Sequence, residues 1–318
     1  MSEKLISIII PHYNIPYMLE KLLESTPYDR EDVEVIVVDD RSDKDLDRLI
    51  GVRDRFGSAG VLFYRNNNGK KGAGTCRNIG LRHASGKWLI FADADDRFKT
   101  GMYEAVKKFA DTEADIVYYM SESINEDGDR VDGRSDGYNL KISNFLNDPG
   151  RRNELLLRYD MPTPWGKMIR ARKVKENRIW FDEIPVSNDV MFSAKCGCHS
   201  DTVIASRDCL YQVLERRGSL TTTPDPEAFN FRTGVFIRMC KYLKNRLTDE
   251  DWKMLGFNGN IRIIEAYQKG YGLKCIGYII FGLLFNGIKP VSFKGMSIKT
   301  AGGTLKNILE GRAGGNAR

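Results

Sequence analysis

Two groups of aspartates follow apolar runs that predict buried strands. Asp39 and Asp40 come directly after VEVIVV, and Asp93, Asp95 and Asp96 follow WLIFA. Carboxylates gathered at one sheet edge repel each other unless a cation or hydrogen-bond donors hold them, and their oxygens suit Mg²⁺ or Mn²⁺ bridging to phosphate. A single aspartate would more often cap a helix, but five at two strand ends favour a cation and phosphate site.

A second candidate site is the loop of residues 66–74 (NNNGKKGAG), which precedes a predicted helix and contains two lysines. Arg77 lies in the first turn of that helix, and cations at a helix N-terminus favour binding of an anion. Gly72 and Gly74 fit the start of a G-x-G-x-x-G dinucleotide motif, but Arg77 occupies its third position. By itself, the loop predicts a solvated turn as readily as a phosphate site.

For two further side chains, the sequence allows either a functional or a purely structural role. Asp189 precedes a helical apolar stretch, Val190–Phe192, so the residues by themselves favour a helix cap over a general base. Trp165 is equally consistent with stacking on a sugar ring and with ordinary packing.

The elements that must position these residues alternate between strand and helix. Short apolar or β-branched runs predict five strands in the first 120 residues: Leu5–Ile10, Val33–Val38, Val61–Tyr64, Lys87–Phe91 and Asp115–Tyr119. Amphipathic stretches between them predict helices. This alternation predicts an α/β fold with a doubly wound, mainly parallel sheet and helices on both faces. Ligands of such sheets bind beyond the carboxyl ends of the strands, where the aspartates lie.

The rest of the chain is less regular. Residues 121–150 are polar and rich in Gly and Asp, which predicts a loop. The pattern then predicts helices near 153–159 and 190–198, short segments near 165–169 and 179–181, and strands near 202–205 and 209–213. Beyond Pro224 and Pro226 it is helical. We therefore expect one domain over residues 1–220 and a C-terminal helical region over residues 221–318.

Composition narrows the class of protein. The chain has 318 residues, of which 42% are hydrophobic and 29% charged, so it can bury a core. No segment reaches the ~18 consecutive apolar residues of a spanning helix. The start, MSEKLISIII, lacks a secretory-signal pattern. Six scattered cysteines do not make a disulfide framework, so we expect a reduced, cytoplasmic protein.

The excess positive charge lies in the tail. Residues 269–318 carry a net charge of +7, and the first 268 residues carry −1. A nucleic-acid-binding protein would more often have a basic face on its folded body, so no nucleic-acid partner is expected. Within the tail, Cys275–Phe285 predicts either a buried core helix or a helix in a bilayer interface, with Lys289, Lys294 and Lys299 on anionic lipid. The basic tail favours the second, hence a peripheral position on the inner face of the cell membrane.

The combination of motifs resembles the inverting glycosyltransferases of family 2, which have the GT-A fold. The resemblance rests on four segments: Ile8–Asn14 (IIIPHYN), Val35–Asp43 (VIVVDDRSD), Asn68–Gly80 (NGKKGAGTCRNIG) and Ala84–Asp96 (ASGKWLIFADADD). It continues more weakly to about residue 220 and does not cover the last 90 or so residues. It implies a metal-dependent enzyme that moves a hexosyl or N-acetylhexosaminyl group from a nucleotide sugar.

The resemblance also implies roles for residues at the first two strand ends. Pro11 and Tyr13 would line the pocket of the nucleotide base. Asp40 or its neighbour Asp39 would accept a hydrogen bond from that base, which is often uracil, so a UDP-sugar is the expected donor.

The basic loop and the second aspartate group would hold the diphosphate end of the donor. Arg77, with Lys71 or Lys70 nearby, would lie beside the nucleotide or its diphosphate. Asp93-Ala94-Asp95 would be the D-x-D motif. Asp95 would ligate Mn²⁺ or Mg²⁺, Asp93 would face the ribose or the metal, and Asp96 is a further candidate ligand.

On the acceptor side, Asp189 would match the acid of the family's Glu-Asp pair, the proposed general base. Asn188 stands where the family has the glutamate. Trp165, Lys167 and Asn188 are candidates for contacts with the acceptor or the donor sugar. The acceptor would be a hydroxyl of a growing surface polysaccharide or lipid-linked glycan.

Two other functions compete with this interpretation. A sugar nucleotidyltransferase usually has a Gly-rich basic loop after the first strand, where PHYN stands here. A non-catalytic, membrane-bound scaffold for glycan assembly would not need Asp93, Asp95 and Asp189, and all three are present.

Overall fold

The computed structural model describes residues 4–215 and 225–291, which form two compact units that divide between Thr221 and Thr222. The first unit contains eight strands: β1 (Ile6–His12), β2 (Val33–Asp39), β3 (Leu62–Arg65), β4 (Trp88–Phe91), β5 (Arg97–Phe98), β6 (Ile116–Ile124), β7 (Lys167–Arg170) and β8 (Val203–Leu214). Its helices are α1 (Pro16–Glu24), α2 (Leu46–Gly57), α3 (Ala73–His83), α4 (Met102–Lys107), α5 (Arg134–Asn147), α6 (Arg151–Tyr159), α7 (Ala171–Glu176) and α8 (Val190–His199).

The eight strands form one sheet in the order β3-β2-β1-β4-β7-β6-β8-β5. The pairs β2–β3, β1–β2, β1–β4 and β6–β8 are parallel, and β7 and β5 run antiparallel to their neighbours. The sheet is thus mostly parallel and lies in a mixed α/β fold, which confirms the predicted fold class.

The central strands are mostly apolar and buried because the sheet is covered on both faces. β1 and β4 are fully buried, and their side chains divide between two hydrophobic clusters, with Ile8 and Ile90 in one and Ile9 and Phe91 in the other. The register aligns the strand ends, since His12 of β1 pairs with Asp39 of β2. The segments that follow β1, β2 and β4 therefore start at the same edge of the sheet.

The prediction of a loop over residues 121–150 is wrong. Strand β6 continues to Ile124, and α5 occupies Arg134–Asn147. The local sequence is polar, but Ile142 is fully buried, and the Asn139 side chain hydrogen-bonds both the N–H and the carbonyl of Ser121. Tertiary contacts therefore stabilise a helix that composition alone did not indicate.

One smaller expectation also changes. The segments predicted near 202–205 and 209–213 are one strand, β8, because register shifts opposite Tyr119–Ser121 keep it paired with β6. Residues 179–181 belong to no strand, although Ile179 and Phe181 are buried.

The second unit is helical, as predicted. It contains α9 (Pro226–Lys244), α10 (Asp249–Leu255), α11 (Asn260–Gln268) and α12 (Gly272–Phe285). The Asp225 side chain accepts hydrogen bonds from the first turn of α9, and Phe229, Leu243 and Ile279 are fully buried. The predicted division between residues 220 and 221 lies outside the described residues. No helix in the described ranges has the length and apolar character needed to cross a membrane.

Candidate active site

Arg77 joins the turn of residues 93–96, which follows β4, to the segment that carries Asp189. Its guanidinium is buried and donates one hydrogen bond to the Asp93 carboxylate and another, of 2.7 Å, to the Asn188 side-chain oxygen. Helix α3 can approach the segment of residues 182–188 this closely because residue 74 is a glycine. A Cβ at Gly74 would collide with the Asp182 carbonyl. One buried cation therefore fixes two segments that lie more than 90 residues apart.

Hydrogen bonds to strand β8 fix the turn that follows β4. The Tyr211 hydroxyl accepts the Asp93 backbone N–H at 2.8 Å, and the Asp96 carboxylate accepts the Leu214 N–H at 2.8 Å. Burial raises the pKa of Asp96 well above its ordinary value, and the nearby charges of Asp95 and Asp93 raise it further. Asp96 thus anchors the turn from inside, whereas Asp93 and Asp95 are only partly buried, and Ala94 between them is buried.

The carboxylates after β4 could hold a divalent cation whose remaining coordination positions a bound diphosphate would fill. Within residues 4–215 and 225–291, no three His, Cys, Asp or Glu side chains are grouped as a ready-made metal site. Mg²⁺ commonly takes only one or two protein carboxylates and fills its remaining positions with phosphate oxygens and water. Asp93 and Asp95 are the less buried acids of the group and could supply those two ligands.

Asp189 occupies the N-cap position of α8 but makes no capping hydrogen bond with its side chain. The interpretation as an ordinary cap, which the residues by themselves favoured, therefore lacks its defining contact. Burial among protein atoms raises the pKa of Asp189, and the charge of Arg77 opposes this rise. A carboxylate with a raised pKa is a better proton acceptor than an exposed one.

Asp39 belongs to a network with His12 and Ser42. The His12 ring lies 3.0 Å from one Asp39 oxygen, the Ser42 hydroxyl donates to the same oxygen, and the Ser42 N–H donates to the other. Burial would raise the pKa of Asp39, but these hydrogen bonds outweigh it and lower the pKa. His12 is itself buried.

Asp40 anchors the basic loop. One oxygen accepts the Asn66 side-chain amide at 2.6 Å, and the other accepts the Gly72 N–H at 2.7 Å. Both oxygens thus have donors within the protein, and Asp40 is buried while Asp39 is partly exposed. The predicted contact of either residue with a nucleotide base stays a prediction.

Tyr13 and Lys71 form an exposed pair beside these acids. The Lys71 ammonium lies 4.6 Å from the centre of the Tyr13 ring, and both side chains are exposed. Pro11 is buried within β1. Lys70 lies 3.7 Å from Glu183. A cation and an aromatic face are thus open to solvent near the end of β1.

Trp165 and Lys167 are both buried. Trp165 stacks on Tyr211, and the Lys167 ammonium donates to the Met161 carbonyl at 2.7 Å. Burial lowers the pKa of Lys167 to about 8, although nearby Cys196 and Asp189 oppose this. The structure gives both side chains a role in packing behind the site, and their predicted contacts with sugar are untested.

The sequence did not single out two residues of this region. Tyr211 lay in a predicted strand with no polar partner in its local pattern. Arg134 lay in the supposed loop, yet its backbone and side chain both bond Glu215, next to Leu214. Burial would lower the pKa of Arg134, but the negative charges of Asp96, Glu215 and Asp93 outweigh this effect and raise the pKa. No local signal could have placed this cation near the turn that follows β4.

Comparison with known proteins identifies the family. The family described as Glycosyl transferase family 2 matches residues 7–177, which is more than half of the chain. GlyA, a glycosyltransferase of Streptococcus pneumoniae, is 27% identical over 224 residues, covering 68% of this chain and 31% of that protein. A poly(ribitol-phosphate) beta-glucosyltransferase of Bacillus spizizenii is 27% identical over 220 residues, covering 67% and 32%. The chain thus spans about a third of the length of these relatives.

Solved structures share the fold. Residues 1–349 of TarS from S. aureus, in complex with UDP-GlcNAc, superpose with a TM-score of 0.66 at 19% identity, covering 87% of this chain and 81% of that one. A mannosyltransferase from Pyrobaculum calidifontis, in complex with GDP-Man and Mn²⁺, gives a TM-score of 0.56 at 18% identity, covering 96% and 79%. The predicted GT-A fold is confirmed. Because the family match covers more than half of its sequence, the chain belongs to glycosyl transferase family 2.

Proposed function

We propose that the chain is a metal-dependent inverting glycosyltransferase that moves a hexosyl or N-acetylhexosaminyl group from a UDP-sugar to a hydroxyl of a glycan. The observation that carries this proposal is the position of Arg77. It bonds both Asp93 of the D-x-D turn and Asn188, the neighbour of Asp189. A donor-binding motif and a candidate base are thereby fixed against each other, as a single displacement requires.

The nucleotide would lie across the ends of β1 and β2. Tyr13 offers an exposed ring, Lys71 an exposed cation, and Asp39 a carboxylate held ionised by His12 and Ser42. Aromatic stacking and a carboxylate acceptor suit a base with an N–H group, such as uracil. The complex of TarS with UDP-GlcNAc, on the same fold, supports a uridine donor.

Asp95 and Asp93 would hold Mn²⁺ or Mg²⁺ together with the donor diphosphate. Such a cation neutralises the charge that develops on the leaving diphosphate. Arg77, which is buried, would keep the Asp93 carboxylate in place rather than reach the donor directly. The Mn²⁺ complex of the mannosyltransferase structure supports a divalent ion on this fold.

Asp189 would act as the general base. Its carboxylate would take the proton of the acceptor hydroxyl while that oxygen attacks the anomeric carbon from the face opposite the diphosphate. The bond from the anomeric carbon to the phosphate oxygen breaks, the nucleoside diphosphate leaves, and the configuration inverts. Its raised pKa keeps the carboxylate a competent acceptor for this proton.

We propose that the acceptor is a growing surface polysaccharide or a lipid-linked glycan at the cytoplasmic face of the cell membrane. Two relatives are named as transferases that act on poly(ribitol-phosphate), which supports a polymeric, anionic acceptor. The basic tail of residues 269–318 supports a location at an anionic surface.

Calorimetric titration with UDP- and GDP-sugars, with and without Mn²⁺, tests the donor side. We expect the wild type to bind one UDP-sugar in a metal-dependent manner and Asp95→Ala to lose that binding. Asp189→Asn should bind the donor like the wild type but turn it over about 10²–10⁴ times more slowly. A folded protein that binds no nucleotide sugar would contradict the proposal and favour the scaffold. Formation of a nucleotide sugar and pyrophosphate from a sugar 1-phosphate and a nucleoside triphosphate would favour the nucleotidyltransferase.

A further inference from the structure

Helix α12 has an inner and an outer face with different surroundings. Ile276, Ile279 and Leu283 are buried and form the inner face. The sequence left open whether this segment is a core helix or an interfacial one. The structure shows that one stripe of the helix packs within the second unit, so only the other stripe needs a partner.

The outer face of α12 is apolar and exposed. Its side chains and their exposed fractions are Leu273 (76%), Tyr278 (56%), Phe281 (69%), Leu284 (60%) and Phe285 (79%). Leu273, Phe281 and Phe285 recur at multiples of four residues, so they lie along one stripe of the helix. The rings of Phe281 and Phe285 stack at 6.1 Å. A contiguous exposed apolar stripe of this kind marks an interaction surface.

Positive charge accompanies this exposed apolar face. Lys274 lies on α12 itself and Lys289 follows it, and both are exposed. Helix α12 contains no acidic residue, and residues 269–318 carry a net charge of +7. Lysines beside exposed phenylalanine and leucine side chains complement a surface that is apolar below and anionic above, as a membrane interface is.

The length of α12 excludes a spanning orientation. Its 14 residues extend about 21 Å, which is shorter than the ~30 Å hydrocarbon core. A second copy is a poorer partner, because a symmetric pair would bring Lys274 and Lys289 of both copies together. Residues 292–318 are a poorer partner for the same reason, since they are basic like the lysines beside the stripe.

We infer that the outer face of α12 docks on an anionic membrane, with the helix parallel to the surface, its phenylalanines in the interface and Lys274 and Lys289 at the lipid headgroups. The inference rests on the proposed function for its biological sense, because a lipid-linked acceptor requires an enzyme at the membrane. Its physical basis, however, is independent of catalysis.

Co-sedimentation of the full chain with vesicles tests the inference. We expect binding to vesicles of 30% phosphatidylglycerol in phosphatidylcholine and much weaker binding to phosphatidylcholine alone. Phe281→Ser with Phe285→Ser should reduce the partition coefficient about tenfold or more. Lys274→Glu with Lys289→Glu should also reduce it, by about fivefold for each lysine lost. The matched control is Ile50→Ser with Leu140→Ser, which removes two other exposed apolar side chains, both from the first unit.

Several outcomes would overturn the inference. The folded wild type could ignore anionic vesicles, or the control pair could lose as much binding as the phenylalanine pair. Unchanged binding of the phenylalanine pair would show that the stripe is covered by other residues. Light scattering that shows a dimer abolished by the same pair would assign the face to a second copy. Because vesicle binding is measured without donor and donor binding without lipid, failure of one proposal does not imply failure of the other.

Discussion

The aspartates after β2 and those after β4 have the same sequence context but different partners. In each group one member is buried and holds backbone: Asp40 accepts the Gly72 N–H, and Asp96 accepts the Leu214 N–H. The others differ. The Asp39 carboxylate contacts the Ser42 hydroxyl and the His12 ring, whereas the Asp93 carboxylate is paired with the guanidinium of Arg77. An apolar run followed by acids therefore predicts a functional edge but not the task of each acid.

The difference is physical. Asp40 is buried with a donor for each oxygen, and Asp39 has enough donors to lower its pKa. Asp96 is buried beside two other acids, so its pKa is raised. The first group is stabilised mainly by neutral donors, and the second depends on one buried cation.

Replacing that cation should have the largest effect. Arg77→Met would leave Asp93 and Asn188 without their shared donor, and we expect a loss of about 3 kcal/mol in the free energy of unfolding. Urea denaturation would measure it. Arg82→Met is the matched control, since Arg82 lies on the same helix but is exposed, and it should cost less than about 1 kcal/mol. Equal losses in the two variants would show that Arg77 is not a special link.

The buried acids of the two groups should respond differently to the same substitution. Asp40→Asn places an amide NH₂ against one of two donors, so about 1–3 kcal/mol of stability should be lost. Asp96→Asn keeps an oxygen for the Leu214 N–H and removes repulsion from Asp93 and Asp95, so stability should change by less than about 0.5 kcal/mol or increase. Thermal unfolding of both variants compares them. A larger loss of stability in Asp96→Asn than in Asp40→Asn would contradict the proposed difference between the two groups.

The pH dependence of turnover extends the comparison to Asp189. Its raised pKa predicts that kcat/KM falls with acidity at a pH above the usual range of an aspartate. Lys167 lowers that pKa, so Lys167→Met should move the acidic limb to still higher pH. Met161→Leu, which keeps the carbonyl that Lys167 bonds, is the control for packing. An acidic limb that does not move in Lys167→Met would contradict the electrostatic role.

A modest effect is expected at Ser42. Its hydroxyl helps to lower the pKa of Asp39, so Ser42→Ala should cost about 0.5–1.5 kcal/mol at neutral pH. A carboxyl whose pKa is lowered by folding stabilises the protein above its unfolded pKa, and that contribution is lost as the pH falls through the folded value. The difference between variant and wild type should therefore shrink below about pH 4. A constant difference across that range in urea titrations would argue for a steric effect instead.

Much of the first unit could be predicted from the sequence. The runs that became β1, β2 and β4 are apolar because both faces of the sheet are covered, and such runs are visible without a structure. Helix α5 could not be predicted, since its stability comes from Asn139 bonding the Ser121 backbone and from buried Ile142. The merging of two predicted strands into β8 likewise depends on its partner β6.

The candidate site divides in the same way. The sequence by itself determined which acids follow the strands, because the edge of a parallel sheet collects whatever follows each strand. Only the tertiary structure decided which acid is buried, that Arg77 bonds Asp93 and Asn188, and that Asp189 makes no capping bond. Residue type and periodicity record local preferences, whereas burial and donor number depend on segments that lie far apart in the chain.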